Sequence, residues 1–110
     1  MNYSAMHRYA RISERKARYI VDLIRGMHVD HAVATLDFHA RRGAVFVQKV
    51  LKSAMANANE KEASMSRLFV TEARVDPGPI IKRFQPKDRG RAHPIQKRTC
   101  HIVISVGEKD

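Results

Sequence analysis

The chain has 110 residues and one cysteine, with 21 Lys plus Arg against 11 Asp plus Glu and a formal net charge of +10. That length bounds it to one domain with a modest core, and a single cysteine excludes an intrachain disulfide and the usual zinc-binding spacings. The charge excess points to a polyanion, nucleic acid before an anionic membrane, and no run approaches the ~20 apolar residues of a membrane span.

Residues 3 to 12, YSAMHRYARI, read as an extended arm or edge strand. Ser13 is placed to cap a first helix, in which Ala17, Ile20, Val21 and Ile24 form one apolar stripe. Arg15, Lys16, Arg18 and Arg25 make its flanks basic, and Gly26 supplies the stop. Asp30 is the predicted cap of a second, shorter helix carrying Ala32, Val33 and Leu36. A third helix is predicted between Gly43 and Lys61, where no glycine or proline intervenes and Ala44, Val47, Leu51, Ala54 and Ala58 mark a continuous face. Its alanines allow close approach, which places it centrally in the helical layer. Gln48, Lys49, Lys52 and Ser53 lie on its other face, with no acid from Arg41 through Asn59, as a polyanion lying alongside would require.

LFVTEARVD, from Leu68, and CHIVISV, from Cys100, are rich in β-formers and read as strands. They bracket a basic segment and can pair antiparallel, with the helices over one face. The predicted fold class is α+β: three helices packed on a small antiparallel sheet from which a long β-hairpin projects. Residues 1–110 form the single domain, and the hairpin occupies about 79–98.

From Lys82 to Arg98 seven basic residues stand against Asp88 alone; from Arg8 to Arg25 six stand against Glu14 and Asp22. Asp76-Pro77-Gly78-Pro79 cannot continue a regular central strand, because proline lacks the N–H a ladder needs. Ile80 to Gln85 and Ile95 to Thr99 remain available as hairpin legs, with a tip at Pro86 to His93. At ~3.3 Å per residue such an arm reaches about 20–25 Å. A two-stranded ribbon with this charge is marginal in water, and RNA phosphates would relieve both defects. Arg83, Arg89, Arg91 and Arg98 offer planar forks for phosphate oxygens or for stacking on a base. Phe84 either stacks on a base or wedges into an apolar seam, and Gly90 allows close backbone approach.

Catalytic readings find no support. The histidines at 7, 28, 31, 39, 93 and 101 show no metal-ligand spacing, and His28 and His31 straddle a helix start. No phosphate-cradling glycine loop, nucleophile elbow or carboxylate pair occurs, and Cys100 in an alternating run reads as core. No enzyme activity, cofactor or metal is expected.

Three stretches together resemble one family: ISERKARYIVDLIRG at 12–26, VLKSAMANA at 50–58 and GPIIKRFQPKDRGRAHPIQKRTCHIVISV at 78–106. They look like the bacterial form of large-subunit ribosomal protein twenty-two, over nearly the whole chain. The resemblance implies a structural, non-catalytic component of the large ribosomal subunit. Such a protein binds large-subunit (23S-type) ribosomal RNA, supports early assembly and lines the nascent-peptide exit tunnel with its hairpin. Its implied partners are that RNA, neighbouring large-subunit proteins and the nascent peptide, in the cytoplasm or on an organellar ribosome, with no obligate homo-oligomer.

Carried over by motif, RNA binding falls on Arg15, Lys16, Arg18, Lys52, Asn57, Lys82, Arg83, Lys87, Arg89, Arg91, Lys97 and Arg98. Charge adds Arg8, Arg11, Arg25 and Lys49. The tunnel tip comprises Phe84, Gln85, Pro86, Lys87, Asp88, Arg89, Gly90, Arg91, Ala92 and His93. Lys87, Asp88 and Pro94 depart from the family's usual residues there. Two other readings are a stand-alone RNA-binding assembly factor and an adaptor for an acidic protein surface.

Overall fold

The computed structural model describes residues 2–39, 41–87 and 91–108, with the backbone alone at 81–87 and 91–96. Strand β1 (Asn2–Ala10) leads into helices α1 (Glu14–Ile24), α2 (Val29–Phe38) and α3 (Arg42–Glu60). A short 3₁₀ turn, Met65–Arg67, then precedes strands β2 (Leu68–Lys87) and β3 (Arg91–Glu108). The α+β architecture is the one the sequence predicts.

Local chemistry sets most helix ends. Ser13 stays extended and its Oγ accepts from the Lys16 N–H at 3.4 Å, while Gly26 turns the chain out of α1 at φ +84°. The cap of α2 is a correction: His28, not Asp30, occupies it. The His28 Nδ1 accepts from the Asp30 N–H at 3.1 Å, so its Nε2 carries the proton and donates to the Ser66 carbonyl at 2.9 Å. The ring also meets Phe69 edge-on at 5.2 Å. An imidazole lone pair caps a helix as a carboxylate does, and contacts from the 3₁₀ turn and β2 hold this one in place. Asp30 sits inside the first turn, where its charge still complements the macrodipole.

The stripes face inward as expected. Ala17, Ile20, Val21 and Ile24 of α1 are buried, as are Ala44, Val47, Leu51, Ala54 and Ala58 of α3. Each fully buried Val, Ile or Leu among them contributes roughly 1.5–3 kcal/mol, and the alanines less. Helix α3 packs on both other helices and on β1 and β3, and α1 covers β2 and β3. Gln48, assigned by sequence to the exposed face of α3, turns toward α2 and donates to Asp37 Oδ1 at 2.6 Å.

The sheet order is β1-β3-β2, all antiparallel, so the last strand is the central one. Cys100, Ile102, Ile104 and Val106 lie under the helices at 0% exposure. Val103 and Ser105, on the opposite face, are buried too, although no helix covers them. Their register neighbours, Met6 and Ser4 on β1 and Arg74 and Glu72 on β2, flank them from both sides.

Residues 2–10 form an edge strand, and β2 is the other edge. That position explains how Pro77 and Pro79 are tolerated: a missing N–H on an edge breaks no central ladder. The expected interruption at Asp76–Pro79 is instead a one-residue bulge between Pro77 and Ile80, inside a continuous 20-residue strand. Beyond it the ladder runs from Ile80↔Arg98 to Lys87↔Arg91. The hairpin gives the described molecule principal extents of 64 × 25 × 17 Å.

Candidate nucleic-acid interface

The candidate interface begins where the hairpin leaves the body. On the arm, the register sets Lys87 opposite Arg91. The side chains of Lys82, Arg83, Phe84, Gln85, Pro86, Lys87, Arg91, Ala92 and His93, and all of Asp88, Arg89 and Gly90, lie outside the described residues. Lys97 and Arg98, at the foot of the arm, are exposed.

On the body, the basic residues of the Arg8–Arg25 stretch divide into two groups. Arg18 donates to the Val75 carbonyl at 3.0 Å and to Glu14 at 3.2 Å. Arg25 donates from Nε and Nη2 to the Ala73 carbonyl, and its Nη1 meets Asp22 at 2.8 Å. These arginines, seven positions and about two helical turns apart, satisfy carbonyls on the open edge of β2. Both acids of the stretch are matched by them. Arg8, Arg11, Arg15 and Lys16 are exposed and have no carboxylate partner among the described residues.

Arg11, Lys16, Lys97 and Arg98 converge on one open cleft of about 950 Å³, joined there by Arg41 and Arg42. The last two are absent from the sequence-derived set. Their signal was an arginine doublet at the start of a long helix, which periodicity passes over. Arg8 and Lys49 border a second, shallower groove between β1 and α3. Lys52 is exposed on α3, and Asn57 donates from Nδ2 to the Ser4 carbonyl at 2.9 Å, tying α3 to β1.

The outer face of the sheet is different in character. Arg74 meets Glu72 at 3.0 Å and Asp76 at 3.4 Å, leaving no local cation excess. Among the described residues, cations without a carboxylate partner therefore line the cleft and the outward side of α1 and α3.

The model of the family described as ribosomal protein L22p/L17e matches residues 5–107. The chain belongs to the L22p/L17e family. Among similar family proteins, the large ribosomal subunit protein uL22 of Thermus thermophilus is 51% identical over 110 residues, covering 99% of this chain and 97% of the relative. The protein of the same name from Clostridium tetani (strain Massachusetts / E88) is 46% identical over 111 residues and covers both chains completely. That of Lacticaseibacillus casei (strain BL23) is 45% identical over 108 residues, covering 97% and 92%. The L22p/L17e match takes in both hairpin legs and every cation around the cleft.

Proposed function

We propose that this chain is a structural component of the large ribosomal subunit that binds large-subunit ribosomal RNA and supports subunit assembly. Its hairpin lines the exit tunnel, where the nascent peptide passes, and its body contacts neighbouring large-subunit proteins. The RNA contacts fall on the arm cations, on Arg8, Arg11, Arg15 and Lys16 of the body, and on Lys49 and Lys52 of α3. The protein works in the cytoplasm, on the ribosome and without catalysis.

One observation carries the reading. Acids on the body are ion-paired beside the sheet and along α1, while the cations of the cleft and of the outward α1 face have no such partner among the described residues. Unmatched cations in a localised set are the footprint of a phosphate backbone. Arg18 and Arg25 act chiefly in the fold, with their remaining charge at its rim.

The test replaces Arg83, Arg89, Arg91 and Arg98 by glutamine and follows large-subunit RNA affinity across a salt series. Affinity falls and the slope of log affinity against log salt flattens, since fewer counterions are released, while body stability holds. An unchanged slope with intact affinity removes the arm from the footprint. The protein should also stay stoichiometric in salt-washed large subunits; loss there favours a transient assembly factor, and nuclease-resistant association favours an acidic protein partner.

A further inference from the structure

The sheet has two edges, and the chain closes only one of them. Along β2 the Val70 N–H donates to the Met27 carbonyl at 2.8 Å, and the Val70 carbonyl accepts from the Gly26 N–H at 3.0 Å. Arg25 and Arg18 reach the Ala73 and Val75 carbonyls, so α1 and its exit cover this edge. Between Asn2 and His7 on β1, the one outward main-chain contact among the described residues runs from Asn57 Nδ2 to the Ser4 carbonyl. Ser4 therefore faces outward, and antiparallel alternation turns the Met6 N–H and carbonyl outward with it. Neither Met6 group has a partner among the described residues.

Both sides of that edge are shaped to receive a strand. On the helix side lies the groove between β1 and α3, about 250 Å³, lined by Ala5, Val50 and Ser53 among others. Arg8 and Lys49 also line it, and no carboxylate does. On the outer face Met6 stands beside Val103, and the Tyr9 ring meets that of His101 edge-on at 4.9 Å. These two apolar side chains are 46% and 59% exposed, which is enough to offer a partner contact area. Tyr9 is held at φ +57°, its N–H donating to His101 Nδ1 at 3.1 Å. A tyrosine adopts that backbone only at a cost, and the bulge between His7 and Ala10 sets its ring at the end of the open edge.

We propose that the β1 edge docks an extended segment of a neighbouring large-subunit protein, which adds a fourth strand beside Ser4 and Met6. The proposal rests on the reading above that the body contacts such proteins. In strand addition the main-chain pairing supplies affinity, and pockets for alternate side chains supply specificity. Here the groove takes one side chain of the segment, and the next lies over Met6 on the outer face. The edge selects peptide over RNA, because Met6 presents a donor and an acceptor together and phosphate oxygens can serve only the donor. Arg8 and Lys49 call for an Asp or Glu on the groove side, which shares them with the RNA assigned to them above. A second copy of this chain is a poor occupant, since pairing β1 with β1 sets two chains of net charge +10 side by side.

The experiment places a benzoylphenylalanine photo-crosslinker at the exposed Ser4 of the full chain. The chain is reconstituted into large subunits, irradiated and digested with nuclease, and the attached peptide is sequenced. A segment of one other large-subunit protein, carrying an acid near the crosslink, is expected. Met6→Pro removes the outward N–H and leaves the β1–β3 ladder intact, and Ser53→Phe fills the groove. Each should lower the crosslink yield on the order of fivefold, the share of one lost hydrogen bond. Both keep every charge, so RNA affinity and its salt slope should hold in each. Crosslinking to RNA alone, to a second copy or to nothing would overturn the docking site, as would full yield in both variants. Should Met6→Pro unfold early, Ser53→Phe decides alone. A second crosslinker in place of Phe38, 90% exposed on α2, separates the two readings. Protein captured there and not at Ser4 sinks the β1 site and leaves the body's protein contacts standing; capture at neither sinks both.

Discussion

Gly78 lies so close to Thr99 that a β-carbon on it would stand 2.7 Å from the Thr99 Oγ1 and 3.2 Å from its carbonyl carbon. The same hydroxyl donates to the Pro79 carbonyl at 2.6 Å. This contact sits on the bulge between Pro77 and Ile80, where the three-stranded sheet becomes a two-stranded arm. Gly78→Ala must displace the backbone of β3 or the buried Thr99, and should cost about 1–3 kcal/mol by urea denaturation. Thr99→Val removes the donor and should cost about 1 kcal/mol. A Gly78→Ala loss below ~0.5 kcal/mol would mean that the bulge relaxes freely.

Leu51 is at 0% exposure on the face of α3 that meets the other helices and the sheet. Leu51→Ala should destabilise by ~2–5 kcal/mol, from lost transfer energy plus the cavity left behind. A shift under ~1 kcal/mol in chemical denaturation would show that the neighbours collapse into the space.

Arginines at the two ends of α1 should separate fold from footprint. Arg25→Gln removes the two N–H donors that converge on the Ala73 carbonyl and the pair with Asp22, and should cost about 1–3 kcal/mol of stability. Arg15→Gln touches no such partner among the described residues and should change stability by less than ~0.5 kcal/mol while weakening RNA binding. Equal melting shifts in the two variants would contradict this division.

Burial pushes the Cys100 thiol above its ordinary value of 9.0, and the nearby Glu14 charge adds to it, with Arg18 opposing. Below about pH 9 the thiol is protonated in folded and unfolded chains alike, and its contribution is fully present. As pH rises past that value the unfolded thiol ionises first, so stability is lost until the folded thiol ionises too. Between pH 7.5 and 10 the unmodified protein should therefore lose more stability than Cys100→Ala, measured by denaturant midpoints. Parallel losses in both would show that the thiol titrates normally in the folded state.

The apolar stripes of α1 and α3, the Ser13 cap and the Gly26 stop were legible because each rests on residues within a turn or two of one another. The α2 cap was misread because Asp30 and His28 are both acceptors at the same helix start. The choice fell to Ser66 and Phe69, which reach His28 from 38 and 41 positions away. Prolines at 77 and 79 warned correctly against a central strand. They could not say that β2 is an edge, since that depends on β3 lying between it and β1.

Helical periodicity, strand composition and the placement of positive charge belong to the sequence by itself, because propensity and net charge act over a few neighbouring residues. Tertiary structure alone decided which cations serve the fold and which remain for a partner. Arg18 and Arg25 find their carbonyls 57 and 48 residues away, and Arg41 and Arg42 reach the foot of the arm only because Gly43 lets α3 close on α1. A charge has the same sign wherever it sits in the chain. Whether it is matched depends on what the packed core carries to within hydrogen-bonding distance of it.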